Sequence, residues 1–79
     1  MTHQEKLSAA RALVARIPKE FDPAPVPEVA KAIGVSGATV RQWISDGKVR
    51  ALDVSSRGEI PTWRVDRESL AQFLAGRMK

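Results

Sequence analysis

The 79-residue chain contains no cysteine, which excludes disulfide staples, Cys-ligated zinc and thiol catalysis. Its one histidine is His3, so a His-based metal site or a Ser/His pair would rest on a single residue at the amino terminus. No apolar run approaches the ~18 residues of a membrane span. No secretory signal is visible, because the amino terminus reads as a polar helix start, and the expected location is the cytoplasm. Neither a P-loop nor a Gly-rich dinucleotide fingerprint is present. The acids Glu28, Asp46, Asp53, Glu59, Asp66 and Glu68 are scattered over different elements, each accounted for by a helix amino terminus, a cap or a turn. No catalytic constellation, cofactor or metal is expected, and no membrane partner.

What is present is basic. Thirteen Lys and Arg stand against nine Asp and Glu, a net charge of +4, with 43% hydrophobic and 28% charged residues. That balance fits an ordered globular fold. A chain of this length forms one domain and buries only about 60% of the surface its unfolded form exposes. A small basic binding module fits these limits, and a deep catalytic cleft does not.

Four segments follow along the chain. Residues 1–20 hold an amphipathic helix over Thr2–Ile17. Thr2 and Glu5 have capping-box spacing, Leu7, Ala10, Val14 and Ile17 form one face with Leu13 beside it, and Pro18 is the stop. Residues 21–27 carry Pro23, Pro25 and Pro27 at alternate positions, the pattern of a stiff extended linker that neither coils nor pairs. Pro27 suits a first helical position. Residues 26–75 then read as helix, turn, helix, hairpin, helix. Val29, Ala30 and Ile33 face inward on the first helix. Gly34 supplies the left-handed turn, Val35 plugs it, and Ser36 caps the second helix. There Val40, Trp43 and Ile44 face inward, while Gly37, Ala38, Arg41, Gln42 and Ser45 face outward, and Asp46-Gly47 is the end. A short strand around Val49–Val54, a turn at Ser55–Gly58 and a return strand over Ile60–Val65 make a hairpin, with Pro61 marking an edge. Asp66 caps a last helix with Leu70, Phe73 and Leu74 inward, which Gly76 ends. Residues 76–79 are a basic tail.

The spacing of Ala30, Gly34, Val40 and Trp43 is that of a helix-turn-helix. A small residue lets the second helix approach, a glycine makes the sharp turn, and two large apolar residues anchor the pair. The stretches Val26–Ser36, Arg41–Lys48 and Trp63–Leu70 resemble, in that order, the excisionase-like and MerR-like winged helix-turn-helix proteins. The resemblance covers roughly residues 24–75 and leaves the Thr2–Ile17 helix outside it. It implies a mainly α fold with a small β-hairpin, that is, a winged helix-turn-helix with an extra amino-terminal helix. It also implies a recognition helix in the major groove of double-stranded DNA and a wing on the minor groove or backbone. In this chain the wing encloses eight residues between Val54 and Trp63, with Arg57 as its base and Glu59 as an acid.

On that reading Arg41 and Gln42 are the main base readers, since Arg matches guanine and Gln matches adenine. Ala38 can meet a thymine methyl, and Gly37 permits close approach. Lys31, Ser36, Thr39, Ser45, Lys48, Arg50, Arg57 and Arg64 are candidate backbone contacts, with plain surface charge as the alternative for the basic ones. Trp43 and Trp63 read as core rather than as stacking platforms. The resemblance favours an excisionase, a recombination directionality factor of a phage or integrative element, acting on the nucleoid. Such a protein binds cooperatively beside other copies of itself, bends DNA and works with an integrase. The chain ends five residues after Leu74, where a MerR-type regulator would continue into a dimerisation helix and an effector site. A small MerR-like transcription regulator lacking an effector domain is the alternative. A third reading is a protein-interaction module that uses the 2–17 helix, whose apolar face either packs on the chain's own core or binds a second copy.

Overall fold

The computed structural model describes residues 2–55 and 62–78. In chain order these form α1 (His3–Val14), β1 (Ala24–Pro25), α2 (Val26–Ile33), α3 (Gly37–Ser45), β2 (Ala51–Asp53), β3 (Trp63–Val65) and α4 (Arg67–Arg77). The fold is mainly helical with a small antiparallel sheet, the winged helix-turn-helix arrangement with an extra amino-terminal helix.

α1 begins where its capping spacing puts it, with Thr2 Oγ1 accepting the Glu5 amide at 3.2 Å. Leu7, Ala10, Val14 and Ile17 are all buried. The regular ladder nevertheless ends at Val14, three residues short of the expected Ile17. Arg16 N to Leu13 O and Ile17 N to Val14 O, at 3.1 and 3.0 Å, make a tighter final turn. Pro18 explains this, because it pushes Ile17 out of the α region and has no amide to continue the ladder. The apolar face of α1 lies along α4. The surface proposed for an interaction module is therefore turned into the chain's own core.

Two expectations about the sheet need correction. The proline-rich segment does pair: Ala24 stands opposite Val65 and Pro25 opposite Arg64. An edge strand needs only alternate groups to bond, and Ala24, between two prolines, keeps both its amide and its carbonyl. The strand order is β1-β3-β2, so the return strand is central and not the edge. Pro61, the residue that suggested an edge, lies outside the described residues. β2 and β3 pair as Ala51 with Val65, Leu52 with Arg64 and Asp53 with Trp63.

α2 starts at Val26, which puts Pro27 at the second helical position rather than the first. Gly34 adopts φ +85° and its amide returns to Ala30 O at 2.8 Å, ending the helix in the left-handed conformation that a Cβ disfavours. α4 is capped by Asp66, whose Oδ1 accepts the Glu68 amide at 3.2 Å. It runs through Gly76 to Arg77, so that glycine does not end it. Ile17, Val29, Val40, Val65 and Leu70, drawn from α2, α3, α4, the central strand and the turn after α1, are the most deeply buried large side chains.

One arginine joins these pieces. Arg67 Nη2 donates to Val14 O at 3.2 Å, and Nη1 donates to Ile17 O, Pro18 O and Phe21 O at 3.2, 3.1 and 3.3 Å. Val14 O and Pro18 O also accept the Ile17 and Phe21 amides, each at 3.0 Å, whereas for Ile17 O and Phe21 O Arg67 is the donor among the described residues. Nearby, Arg11 Nη2 donates to Glu68 Oε1 at 2.8 Å across the α1–α4 seam, with both side chains more than half exposed. That bond, and a second from Gln72, hold the Glu68 carboxyl below its ordinary pKa.

Arg67→Ala should lower the unfolding free energy by roughly 2–3 kcal/mol, because hydrogen bonds from a charged donor are lost and carbonyls are left unpaired. Arg67→Lys should recover little of it, since one ammonium cannot span the set. Urea unfolding checks this, and a loss under about 0.5 kcal/mol would remove the clamp from the account. The depressed Glu68 carboxyl contributes stability that is complete above its unfolded value near pH 4 and is lost as the pH falls through the folded value. Arg11→Ala should therefore flatten the acid limb of a melting-temperature profile below about pH 4 and change the neutral value only slightly, the pair being exposed.

Candidate nucleic-acid interface

α3 is set by its own sequence. Ser36 Oγ accepts the Thr39 amide at 3.1 Å and lies 2.9 Å from Thr39 Oγ1, so both hydroxyls expected to meet phosphate are joined at the helix start. Val40 and Trp43 are buried and Ile44 half-buried. Trp43 meets Phe73 of α4 at 4.9 Å between ring centroids, tilted by 57°. This pair fixes α3 against α4. Arg77 completes the stack, its Cζ 5.8 Å from the Trp43 ring and 5.4 Å from the Phe73 ring. Sequence reasoning assigned Arg77 only to a basic tail.

The opposite face is open. Ala38, Arg41, Gln42 and Ser45 are exposed, and Gly37 is half-buried. Arg41 forms no ion pair among the described residues. Its guanidinium lies back across the first turn: a Cβ built on Gly37 would stand 3.3 Å from Arg41 Nη1. The head group shares a niche with Pro25, Val26, Pro27, Thr62 and Trp63, between the start of α2 and the base of the wing. Gln42 turns the other way, and its Nε2 donates to Asp46 Oδ1 at 2.8 Å. The two long side chains of the face thus part toward its two ends, with Ala38 and Ser45 between them.

The remaining candidates divide by position. Lys48 is exposed just beyond α3, its amide bonded to Trp43 O at 3.0 Å. Lys31 lines a shallow concavity with Arg16, Pro18, Glu28 and Ala32, on the α1 side of α2. Arg50 is drawn toward the α4 cap, Nη1 lying 3.7 Å from Asp66 Oδ2, while its amide donates to Ser69 Oγ at 2.9 Å. Arg64 stands on the outer face of the sheet, the side away from the buried Val65. There it lines a concavity with Glu20, Asp22, Pro23, Leu52 and Val54 rather than joining α3. Leu52 and Val54 are the exposed large hydrophobics among the described residues. Arg57 lies outside the described residues.

The base of the wing is organised by Asp53. Its Oδ1 accepts the Ser55 amide at 2.9 Å and the Thr62 amide at 3.1 Å, and Val54 N bonds Thr62 O at 2.9 Å. The Ser55 bonds, and then the Thr62 amide, hold the Asp53 carboxyl below its ordinary range. Trp63, half-buried, sits on the core side of β3, between Ile44 and Ala51 on one flank and Arg41 on the other. It thereby props the sheet against α3.

No described helix is long and apolar enough to cross a membrane. Among the described residues, no three His, Cys, Asp or Glu are grouped to hold a metal ion. No curated protein and no solved structure matches the chain. A family model does match, described as a helix-turn-helix domain, over residues 26–78. The matched span takes in the α2–Gly34–α3 unit, the sheet's β2 and β3, and all of α4. The chain thus belongs to the helix-turn-helix domain family, a DNA-binding family that includes excisionase-like proteins.

Proposed function

We propose that this chain binds double-stranded DNA sequence-specifically as an excisionase-type architectural factor. Several copies bind adjacent sites on the bacterial nucleoid, bend the duplex and bias an integrase toward excision. The observation that carries the reading is α3 itself. Its inner face is locked by Val40 and Trp43, and its outer face of Ala38, Arg41, Gln42 and Ser45 is left exposed, as a helix that enters a major groove requires. Arg41 and Gln42 read bases. Ser36, Thr39, Ser45 and Lys48, at the two ends of the helix, meet phosphate.

The cooperative, multi-copy part of the reading follows from charge. Residues 26–65 carry six bases and four acids, a net of +2, and the rest of the chain carries the other +2. Arg50 is drawn to Asp66, and Arg64 shares its concavity with two acids. A net charge of only +2 on that segment offers little counterion release, so one copy on one site binds weakly. Neighbouring copies supply the missing occupancy through effective concentration.

Footprinting across an integrase attachment region should show phased, same-direction protection that sharpens with protein concentration and fades with salt. Protection of a single inverted repeat at a promoter would instead identify a small transcription regulator, and no salt-sensitive duplex binding would sink both readings. Arg41→Ala should lose the preference at the base pair that Arg41 reads and keep the one that Gln42 reads, and a preference unchanged at every position in a gel-shift titration would remove Arg41 from the reading set. Gly37→Ala should leave the melting temperature within a degree or two, equivalent to about 0.5 kcal/mol or less, because it meets only the flexible end of Arg41 and Val26 Cγ1, at 3.3 and 3.7 Å. It should nevertheless weaken cognate binding by displacing the Arg41 guanidinium.

A further inference from the structure

Asp46 is the one acid on the recognition segment, and its placement is unfavourable twice over. It caps the carboxyl end of α3, where the helix dipole disfavours negative charge. It also stands beside the face proposed to approach polyanionic DNA, where a carboxylate repels phosphate. The turn does not need its side chain. Asp46 N bonds Gln42 O at 2.9 Å, Gly47 N bonds Ile44 O at 3.0 Å, and Gly47 takes φ +74°. Those backbone terms end the helix by themselves. The carboxylate is spent instead on Gln42, accepting from Nε2 at 2.8 Å across one helical turn.

We infer that Asp46 is a specificity-determining residue that acts by positioning Gln42, so that the pair reads a base carrying an exocyclic amine in the major groove. The inference rests on the reading of α3 as the base-contacting helix. A free glutamine amide is ambidextrous: it offers an acceptor oxygen and two N–H donors, and it can swing to suit different edges. With one N–H engaged, Gln42 keeps its Oε1 acceptor and a single donor. Asp46 adds its second oxygen, Oδ2, which among the described residues has no hydrogen-bond partner. The unit therefore presents mostly acceptors. In the major groove an acceptor surface matches the N4 amine of cytosine or the N6 amine of adenine. It is opposed by the O6 of guanine and the O4 of thymine. The same carboxylate discourages tight binding where no amine faces it, so one side chain both orients the reader and penalises wrong bases.

The test is selection of bound duplexes from a randomised library by the full chain and by three variants, with melting temperatures measured alongside. The unaltered protein should favour cytosine or adenine over guanine and thymine at one position of its site, by about tenfold. Asp46→Ala should cut that preference to twofold or less at that position alone. It should leave the other positions and the melting temperature essentially unchanged, and total binding to random duplex should rise. Asp46→Asn keeps an oxygen that can accept from Gln42 and should retain more of the preference than Asp46→Ala, which loss of fold would not produce. An Asp46→Ala profile that matches the unaltered one overturns the inference while leaving α3 as the reading helix. A preference for guanine or thymine at the position lost in Gln42→Ala overturns it as well. Absence of any sequence preference in the unaltered protein overturns both this inference and the reading on which it rests.

Discussion

The arrangement depends on one guanidinium, that of Arg67. Pro18 breaks α1 before its expected end; the carbonyls of Val14 and Pro18 keep one backbone donor each, from Ile17 and Phe21, and those of Ile17 and Phe21 have none among the described residues. A domain this small has little spare burial to offset even two orphaned acceptors. Arg67 answers all four from a single residue, at 3.1–3.3 Å. Its position in the chain matters as much as its chemistry. It follows β3 directly and opens α4, so the group that closes the end of α1 also fixes where the central strand hands over to the last helix. The path into β1 is set in the same stroke, because Phe21 lies three residues before Ala24.

From that clamp the route to α3 is short. α4 presents Phe73 to Trp43, and Trp43 with Val40 holds the inner face of α3. On the other side β3, paired to β1 and β2, carries Trp63 beneath the flank of α3 near Ile44 and Arg41. Phe73 of α4 and Trp63 of β3 thus brace one short helix from two directions. α3 has nine residues, too few to be stable in isolation. Its usefulness as a rigid reading head comes from this bracing. The amino-terminal helix, which lies outside the matched family span, contributes by covering α4 and so by stiffening the support behind Phe73.

Much of this was legible in the sequence where the cause is local. Thr2, Ser36 and Asp66 cap the helices they were expected to cap, because a side-chain oxygen within three residues of a free amide is a short-range matter. Gly34 turns the chain for an equally local reason, and the apolar stripes of α1, α2 and α3 point inward as their spacing requires. The features that were missed are non-local. β1 was hidden by its prolines, because a pattern cannot show that Val65 and Arg64, forty residues on, supply the matching edge. Arg67 has no signature, since its partners are backbone carbonyls fifty residues away. Arg64 is a different case. The two-residue period of β3, with Val65 inward, already puts Arg64 on the outer face. The Gln42–Asp46 bond was readable too, since residues four apart on a helix meet.

The charge distribution closes the argument about how such a helix can work. α3 and its cap carry one base, Arg41, and one acid, Asp46, so the reading segment is electrically neutral. Non-specific attraction to phosphate must then come from residues around it, among them Arg77 over the Trp43 ring. Lys48 is near, Lys31 is toward α1, Arg50 leans to Asp66, and Arg64 faces away. On the function proposed above, an electrically neutral α3 separates two tasks that many DNA-binding domains merge. Selection is left to side-chain geometry on α3, where each correct pairing is worth about 1–3 kcal/mol. Affinity is left to whatever multiplies the few phosphate contacts. For a single domain of this size, the multiplier available without new chemistry is a neighbour on the same duplex. On that proposal low background attraction is an advantage, because copies that bind weakly alone would accumulate only where correct sites stand side by side.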